Sequence, residues 1–109
     1  MTQNPDTTAI TAGRGDGAGL VVPLDPSTVW QQEGLDEMRK RATGMRHGGV
    51  YGRYSNPTVA AFEQAVAELE GAESALAFGS GMGAVASVVL AFCGQGSHIV
   101  AQNNLYGAT

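Results

Sequence analysis

A glycine-rich run between two apolar segments is the first place where the residue types of this sequence suggest chemistry. The run reads Gly79-Ser80-Gly81-Met82-Gly83, and an apolar helical pattern follows it over about residues 81–92. The first amides of a helix have no acceptor within the helix, and the helix dipole makes that end positive. Glycines also let a ligand approach the backbone, so the run predicts an anion site suited to phosphate. A tight turn that only allows close packing is the alternative.

Two other interpretations of the same run are weaker. Extended to Ala84, the run fits the GxGxxA fingerprint of dinucleotide-binding proteins, but that motif needs an acidic residue roughly 20 positions later. No Asp or Glu follows Glu73. Gly79 and Gly83 also form a GxxxG pair, as in paired membrane helices. The apolar stretch from Gly83 to Cys93 is too short for that, because a membrane span needs about 20 residues.

Two further groups of residues could contact the same ligand. Tyr51 and Arg53 stand two positions apart, so in an extended backbone both side chains would point the same way. The planar donors of arginine suit phosphate because they can bind two oxygens at once. Tyr106 lies in the loop after residues 97–101, and its flat ring could stack on an aromatic ligand. For each group the alternative is a surface or loop residue that contacts no ligand.

The elements that must position these residues are clearest in the second half of the chain. An Asn-Pro pair at 56–57 and apolar residues at 3-4-3 spacing predict a helix over about 57–71. Short, apolar, uncharged segments predict buried strands at 74–78 and 97–101, on either side of the helix at 81–92. Helix, strand, helix, strand indicates an α/β fold with a parallel sheet, whose ligands bind at the carboxyl ends of the strands.

The first half of the chain has another character. It contains all six Lys and Arg residues, frequent glycine and proline, and no sustained periodicity beyond a short helix marked by Leu35, Met38 and Ala42. Such a segment cannot build a core by itself, so it is either disordered or an extended arm that becomes ordered on a partner. We therefore divide the chain into an N-terminal arm (1–56) and the start of an α/β domain (57–109).

Composition argues against several classes of function. The formal net charge is -4, with 6 Lys and Arg against 10 Asp and Glu, so we expect neither nucleic acid nor an anionic membrane as partner. Cys93 is the only cysteine, and His47 and His98 lack companions at metal-ligand spacing, so we expect no metal site. The N-terminus lacks a basic start followed by an apolar stretch, which favours a cytoplasmic protein.

Several short motifs occur in one order and register between Val50 and Thr109. They are Tyr51-Gly52-Arg53, Ser55-Asn56-Pro57-Thr58, Leu69-Glu70-Gly71-Ala72-Glu73, Ser80-Gly81-Met82 and Leu105-Tyr106-Gly107-Ala108-Thr109. Together they resemble the pyridoxal-phosphate (PLP) enzymes of cysteine and methionine metabolism, which include cystathionine gamma-synthase, cystathionine gamma-lyase, methionine gamma-lyase and homoserine sulfhydrylases. The resemblance implies a fold-type-I PLP-dependent transferase with an aspartate-aminotransferase-like large domain, of which this chain is an incomplete, N-terminal portion.

The resemblance also implies roles for single residues. The turn Ser80-Gly81-Met82 would hold the phosphate of pyridoxal 5'-phosphate, and Tyr51 and Arg53 would reach the same phosphate from a neighbouring subunit. Tyr106 would stack on the pyridine ring and act in catalysis by helping to activate the leaving group. The arm would lie on a partner subunit of a homo-oligomer, a dimer of dimers.

The chain has no lysine in a segment suited to the Schiff base of PLP chemistry. That chemistry requires a Schiff-base lysine and an acid opposite the pyridinium nitrogen. The only lysine, Lys40, lies in the polar arm between Arg39 and Arg41, whereas Schiff-base lysines are usually desolvated. We therefore expect cofactor contacts without catalysis in this chain, and the resemblance implies that the lysine and the acid lie beyond position 109.

The parent enzyme would make or break a C–S bond, by gamma-elimination or gamma-replacement on a sulfur-containing or O-activated homoserine amino acid. Departures from the family pattern, such as Thr11-Ala12-Gly13 and Gly96-Ser97-His98, leave open whether it is a synthase, a lyase or a sulfhydrylase. A truncated product without catalysis and a stand-alone phosphate-binding α/β module are the other hypotheses.

Overall fold

The computed structural model describes residues 4–15, 19–44, 49–107 and 109. In these ranges the chain forms four helices: α1 (Pro5–Thr11), α2 (Leu35–Thr43), α3 (Pro57–Glu70) and α4 (Gly81–Phe92). The chain divides into two compact units, Met1–Leu76 and Ala77–Thr109. The first unit contains α1, α2 and α3, and the second contains α4. No helix of the described ranges is both long enough and apolar enough to cross a membrane.

α3 begins and ends where the sequence pattern predicts. The Asn56 side chain accepts hydrogen bonds from the amides of Thr58 and Val59 at 2.9 and 3.2 Å. Pro57 suits the first position because its missing amide would find no acceptor there. Gly71 ends the helix in the left-handed conformation, with φ 63° and ψ 28°, which glycine adopts without a Cβ penalty.

The predicted helices α2 and α4 are also confirmed, whereas apolar periodicity does not predict α1. α1 begins as α3 does, with an asparagine followed by a proline: the Asn4 side chain accepts from the Asp6 amide at 3.0 Å. Its seven residues are too few to show apolar periodicity. The local signals that indicate α1 are therefore those of its start, the Asn-Pro pair and the acidic Asp6 in the first turn.

The prediction of strands at 74–78 and 97–101 is wrong for this structure. Neither segment pairs with another strand. In the described residues, β pairing is limited to one isolated antiparallel bridge, between Val29 and Tyr51. A strand exists only where its backbone groups bond to a neighbouring strand. No described segment takes that place beside either one, so the order helix, strand, helix, strand is correct only in its helices.

Residues 1–56 include an extended stretch that is fastened to the start of α3. The Thr58 hydroxyl oxygen accepts from the Asp25 amide at 2.8 Å, and the hydroxyl donates to the Pro23 carbonyl at 3.0 Å. The Asn56 side-chain amide donates to the Asp25 carbonyl at 2.9 Å. The residues that start α3 thus also hold the backbone at 23–25. That the arm packs on a partner subunit stays a prediction.

The loop after α1 lies directly on α3. Gly13 is buried there with φ 72°, and a Cβ at this position would overlap the carbonyl oxygen of Ala61 and lie 3.3 Å from the Ala65 Cβ. Only glycine allows both the left-handed backbone and this close approach. This contact matters for the packing of the first unit because the described residues bury so little apolar surface: among their apolar side chains, Ala67 is the one that is buried, at 7% exposure.

The carboxylate of Asp25 organises the stretch that leads to Trp30. It accepts from the Ser27 amide at 2.9 Å and from the Trp30 indole nitrogen at 3.2 Å. The charged carboxylate is stabilised mainly by the backbone amide of Ser27, and further by the Ser27 hydroxyl and the Trp30 indole. The pKa of Asp25 therefore lies below its ordinary value of 3.8.

We expect the fluorescence of Trp30, the single tryptophan of the chain, to change as the pH falls below 3.8. The folded-state pKa of Asp25 is lower than the unfolded one, so its stabilisation is complete above the unfolded value and is lost as the pH falls through the folded pKa. An acid titration of the fluorescence measures this. Asp25→Asn should abolish the transition, whereas Asp36→Asn on α2 should keep it. An unchanged transition in Asp25→Asn would assign it to another group.

Candidate functional site

The predicted phosphate turn forms the N-terminus of α4. Ser80 is the N-cap, with extended backbone, and its Oγ accepts from the Gly83 amide at 3.0 Å. The Ser80 carbonyl accepts from the Ala84 amide at 3.1 Å. The amides of Gly81 and Met82 have no acceptor in the part of the chain that the structure describes. Two donors thus remain at the positive end of a 12-residue helix, which is the arrangement that binds anions.

The two glycines of this helix end serve different purposes. A Cβ at Gly83 would lie 3.1 Å from Ser80 Oγ and 3.8 Å from Phe78 Cβ, so a side chain there would press on the serine cap. A Cβ at Gly81 would meet no atom of the described residues within 4 Å, and the φ of Gly81 is not in the left-handed region. Glycine at 83 therefore protects the cap, while the space beside Gly81 is open to a ligand.

Tyr51 and Arg53 lie in a turn and not in an extended backbone. The Tyr54 amide donates to the Tyr51 carbonyl at 2.9 Å, which closes a four-residue turn over these positions. The prediction that both side chains share one direction because the backbone is extended is therefore wrong in its reason. The side chains of Tyr51 and Arg53 are close for another reason, because the Arg53 guanidinium packs against the Tyr51 ring.

This turn is held against the extended stretch of the same unit. Tyr51 forms the antiparallel bridge with Val29, and the Gly52 amide donates to the Thr28 carbonyl at 2.7 Å. A Cβ at Gly52 would lie 3.2 Å from the Ser27 carbonyl oxygen and 3.3 Å from the Thr28 Cα. Glycine at 52 thus allows the close approach that fixes the turn.

The Arg53 guanidinium lies against two tyrosine rings. Its Cζ is 5.2 Å from the Tyr51 ring centroid and 5.3 Å from the Tyr54 ring centroid. The two rings stand 6.1 Å apart at an angle of 61°. Both distances are within the range of cation–π attraction. Over the described ranges Arg53 has no carboxylate partner, so its positive charge is available to a ligand.

The site residues predicted from the sequence fall in both units. Tyr51 and Arg53 belong to the first unit, and the turn Ser80-Gly81-Met82 and Tyr106 belong to the second. Tyr106 is 79% exposed, so its ring is accessible. The convergence of these groups on one ligand stays a prediction. Lys40 is exposed on α2, and His47 lies outside the described residues.

The donors at the start of α4 fit a phosphate group. Backbone amides and a serine hydroxyl can donate hydrogen bonds to phosphate oxygens, and the arginine guanidinium of the first unit is by itself a donor of the same kind. Residues 77–109 contain no Asp or Glu that would repel an anion. Within the described ranges no group of three or more His, Cys, Asp or Glu residues could hold a metal ion.

Comparison with known proteins gives one consistent family. A family model described as Cys/Met metabolism PLP-dependent enzyme matches residues 6–109. The chain is 45% identical to O-succinylhomoserine sulfhydrylase of Pseudomonas aeruginosa, over 63% of this chain and 17% of that protein. It is 44% identical to L-methionine gamma-lyase of Streptomyces avermitilis, over 95% of this chain and 28% of that protein.

A third relative is O-acetyl-L-homoserine sulfhydrylase of Corynebacterium glutamicum, which is 39% identical over 81% of this chain and 20% of that protein. The chain therefore spans less than a third of the length of these relatives. No solved structure matches the chain.

Proposed function

We propose that this chain, which belongs to the Cys/Met metabolism family of PLP-dependent enzymes, contributes the phosphate-binding elements of an enzyme that makes or breaks a carbon–sulfur bond. The cofactor of the family is pyridoxal 5'-phosphate. The observation that carries the proposal is the N-terminus of α4, where the amides of Gly81 and Met82 are available in a stretch without carboxylates.

Three groups at the start of α4 can hold the cofactor phosphate. The amides of Gly81 and Met82 donate to its oxygens, and the helix dipole favours its negative charge. Ser80 Oγ accepts from the Gly83 amide, which leaves its own hydroxyl hydrogen free to donate to a phosphate oxygen. The N-cap residue thus orders the helix start and extends the phosphate site at the same time.

Arg53 and Tyr51 are the proposed phosphate ligands of the first unit. The guanidinium edge can bind two phosphate oxygens, and the charge of arginine compensates the dianion. By analogy with the family, these two residues serve the neighbouring subunit of a homo-oligomer, with the arm lying on that subunit. A dimer of dimers and a cytoplasmic location remain predictions.

Tyr106 is the proposed catalytic residue of this chain. Its exposed ring offers a flat face to the cofactor ring, and its phenol can hold or move a proton at the leaving group. When bound, pyridoxal phosphate supplies the electron sink that makes bond cleavage on an amino acid possible. The names of the relatives point to L-methionine or an O-acylated homoserine as substrate.

The complete protein that contains this chain tests the proposal. We expect it to convert L-methionine and water to a thiol, ammonia and a 2-oxo acid, or to replace the acyloxy group of O-succinyl- or O-acetylhomoserine by sulfide with release of the carboxylic acid, and only with the cofactor bound. Mass spectrometry of the products distinguishes elimination from replacement. Turnover of none of these three substrates by the cofactor-loaded protein would contradict the proposed reaction class.

A further inference from the structure

We propose that Tyr54 is a positioning residue, whose ring holds the Arg53 guanidinium in readiness for the cofactor phosphate. The inference rests on the proposed function, in which Arg53 binds that phosphate. Tyr54 stands outside the set of site residues that the sequence pattern indicates. It enters through the geometry of the turn at 51–54.

The Tyr54 ring lies as close to the Arg53 guanidinium as the Tyr51 ring does. The distances from Arg53 Cζ to the two ring centroids are 5.3 Å for Tyr54 and 5.2 Å for Tyr51. An arginine side chain has many rotamers, and ordering it when a ligand binds costs conformational entropy. Contact with two rings restricts the guanidinium before the ligand arrives, which lowers that cost.

Rings suit this task better than a carboxylate does. An aspartate or glutamate would restrain the guanidinium through the N–H donors that a phosphate needs. An aromatic ring attracts the cation through its π face and leaves those donors free. Consistent with this, Arg53 has two ring contacts and no ion pair in the described part of the chain.

The ring of Tyr54 is carried by a fixed piece of backbone. The amides of Tyr54 and Ser55 both donate to the Tyr51 carbonyl, at 2.9 and 3.3 Å. Ser55 Oγ accepts from the Gly49 amide at 3.2 Å, and Asn56, the next residue, caps α3. Tyr51 and Tyr54 are 39% and 46% exposed and Arg53 is exposed as well, so the cation that contacts their rings remains accessible from solvent.

The experiment compares two ligands that differ only in the phosphate. The apo form of the complete protein is titrated with pyridoxal 5'-phosphate and with pyridoxal, for the wild type, Tyr54→Leu, Tyr54→Phe, Arg53→Ala and the double variant Arg53→Ala/Tyr54→Leu. Tyr54→Leu should weaken pyridoxal phosphate binding about two- to fivefold, as expected for one exposed cation–π contact. Its affinity for pyridoxal should stay unchanged.

Tyr54→Phe keeps the ring and should bind as the wild type does. In the Arg53→Ala background, Tyr54→Leu should have no further effect, because the residue it positions is gone. Equal losses for both ligands, an equal loss in Tyr54→Phe, or an undiminished loss in the Arg53→Ala background would overturn the positioning role. Weakened binding in Arg53→Ala without any loss in Tyr54→Leu overturns that role alone. No effect of Arg53→Ala overturns it together with the proposed phosphate contact of Arg53.

Discussion

Replacing Gly13 with alanine should detach the loop after α1 from α3, at a cost of roughly 2–5 kcal/mol. The cost has two parts. A residue with a Cβ is disfavoured at φ 72°, and this Cβ would also overlap the carbonyl oxygen of Ala61. That oxygen belongs to the backbone of α3, which cannot turn away as a flexible side chain would. The loop must therefore leave the helix.

Gly15 offers a matched control in the same loop. It has a similar left-handed φ of 63°, but among the residues that the structure describes a Cβ there would meet nothing within 4 Å. Gly15→Ala should thus cost only the backbone term, about 1–2 kcal/mol. Hydrogen exchange of the Ala12 amide, which donates to the Thr8 carbonyl at the end of α1, reports the local free energy of opening. Equal effects of the two substitutions would mean that contact with Ala61 does not decide the choice of glycine at 13.

Gly13 shows which part of a structure a local sequence pattern predicts and which part it does not. The glycine-rich character of this segment predicts a loop, and residues 12–15 do form one. The need for glycine at position 13 comes from an oxygen on α3, which lies far away along the chain. Local patterns predict α2, α3 and α4 because the signals of a helix lie within and beside the helix. They cannot supply a contact between distant segments.

The predicted strands and the turn at 51–54 also depend on contacts that a local pattern does not contain. An apolar run at 74–78 or 97–101 shows that a segment is suited to a sheet, but pairing needs a neighbour that the run does not contain. The start of α4 is a local feature, so the helix start at Ser80, Gly81 and Met82 is predictable from the spacing of nearby residues, whereas phosphate binding there stays a prediction. The contact between Arg53 and Tyr54 depends on a turn hydrogen bond that the extended-backbone hypothesis did not include.

Replacing Gly81 with aspartate should separate the two roles that the start of α4 can have. A carboxylate in the first turn interacts favourably with the helix dipole, by about 0.3–1 kcal/mol, so α4 itself should be at least as stable. The same carboxylate would stand beside the amides of Gly81 and Met82, where the phosphate is proposed to bind. Like charges about 4 Å apart repel by about 4 kcal/mol at an effective dielectric constant of about 20. We expect binding of pyridoxal phosphate to weaken about a hundredfold or more.

Gly81→Asn is the control for this substitution, because asparagine has nearly the size of aspartate and no charge. The open space beside Gly81 accepts either side chain, so the difference between the two variants reports the charge alone. Titration with pyridoxal phosphate measures the affinity, and hydrogen exchange over α4 measures the helix. A turn that serves only close packing would respond to size and bind equally in both variants. An anion site must instead show lower affinity in the aspartate variant while its helix is preserved, because the charge that favours the helix start repels the phosphate.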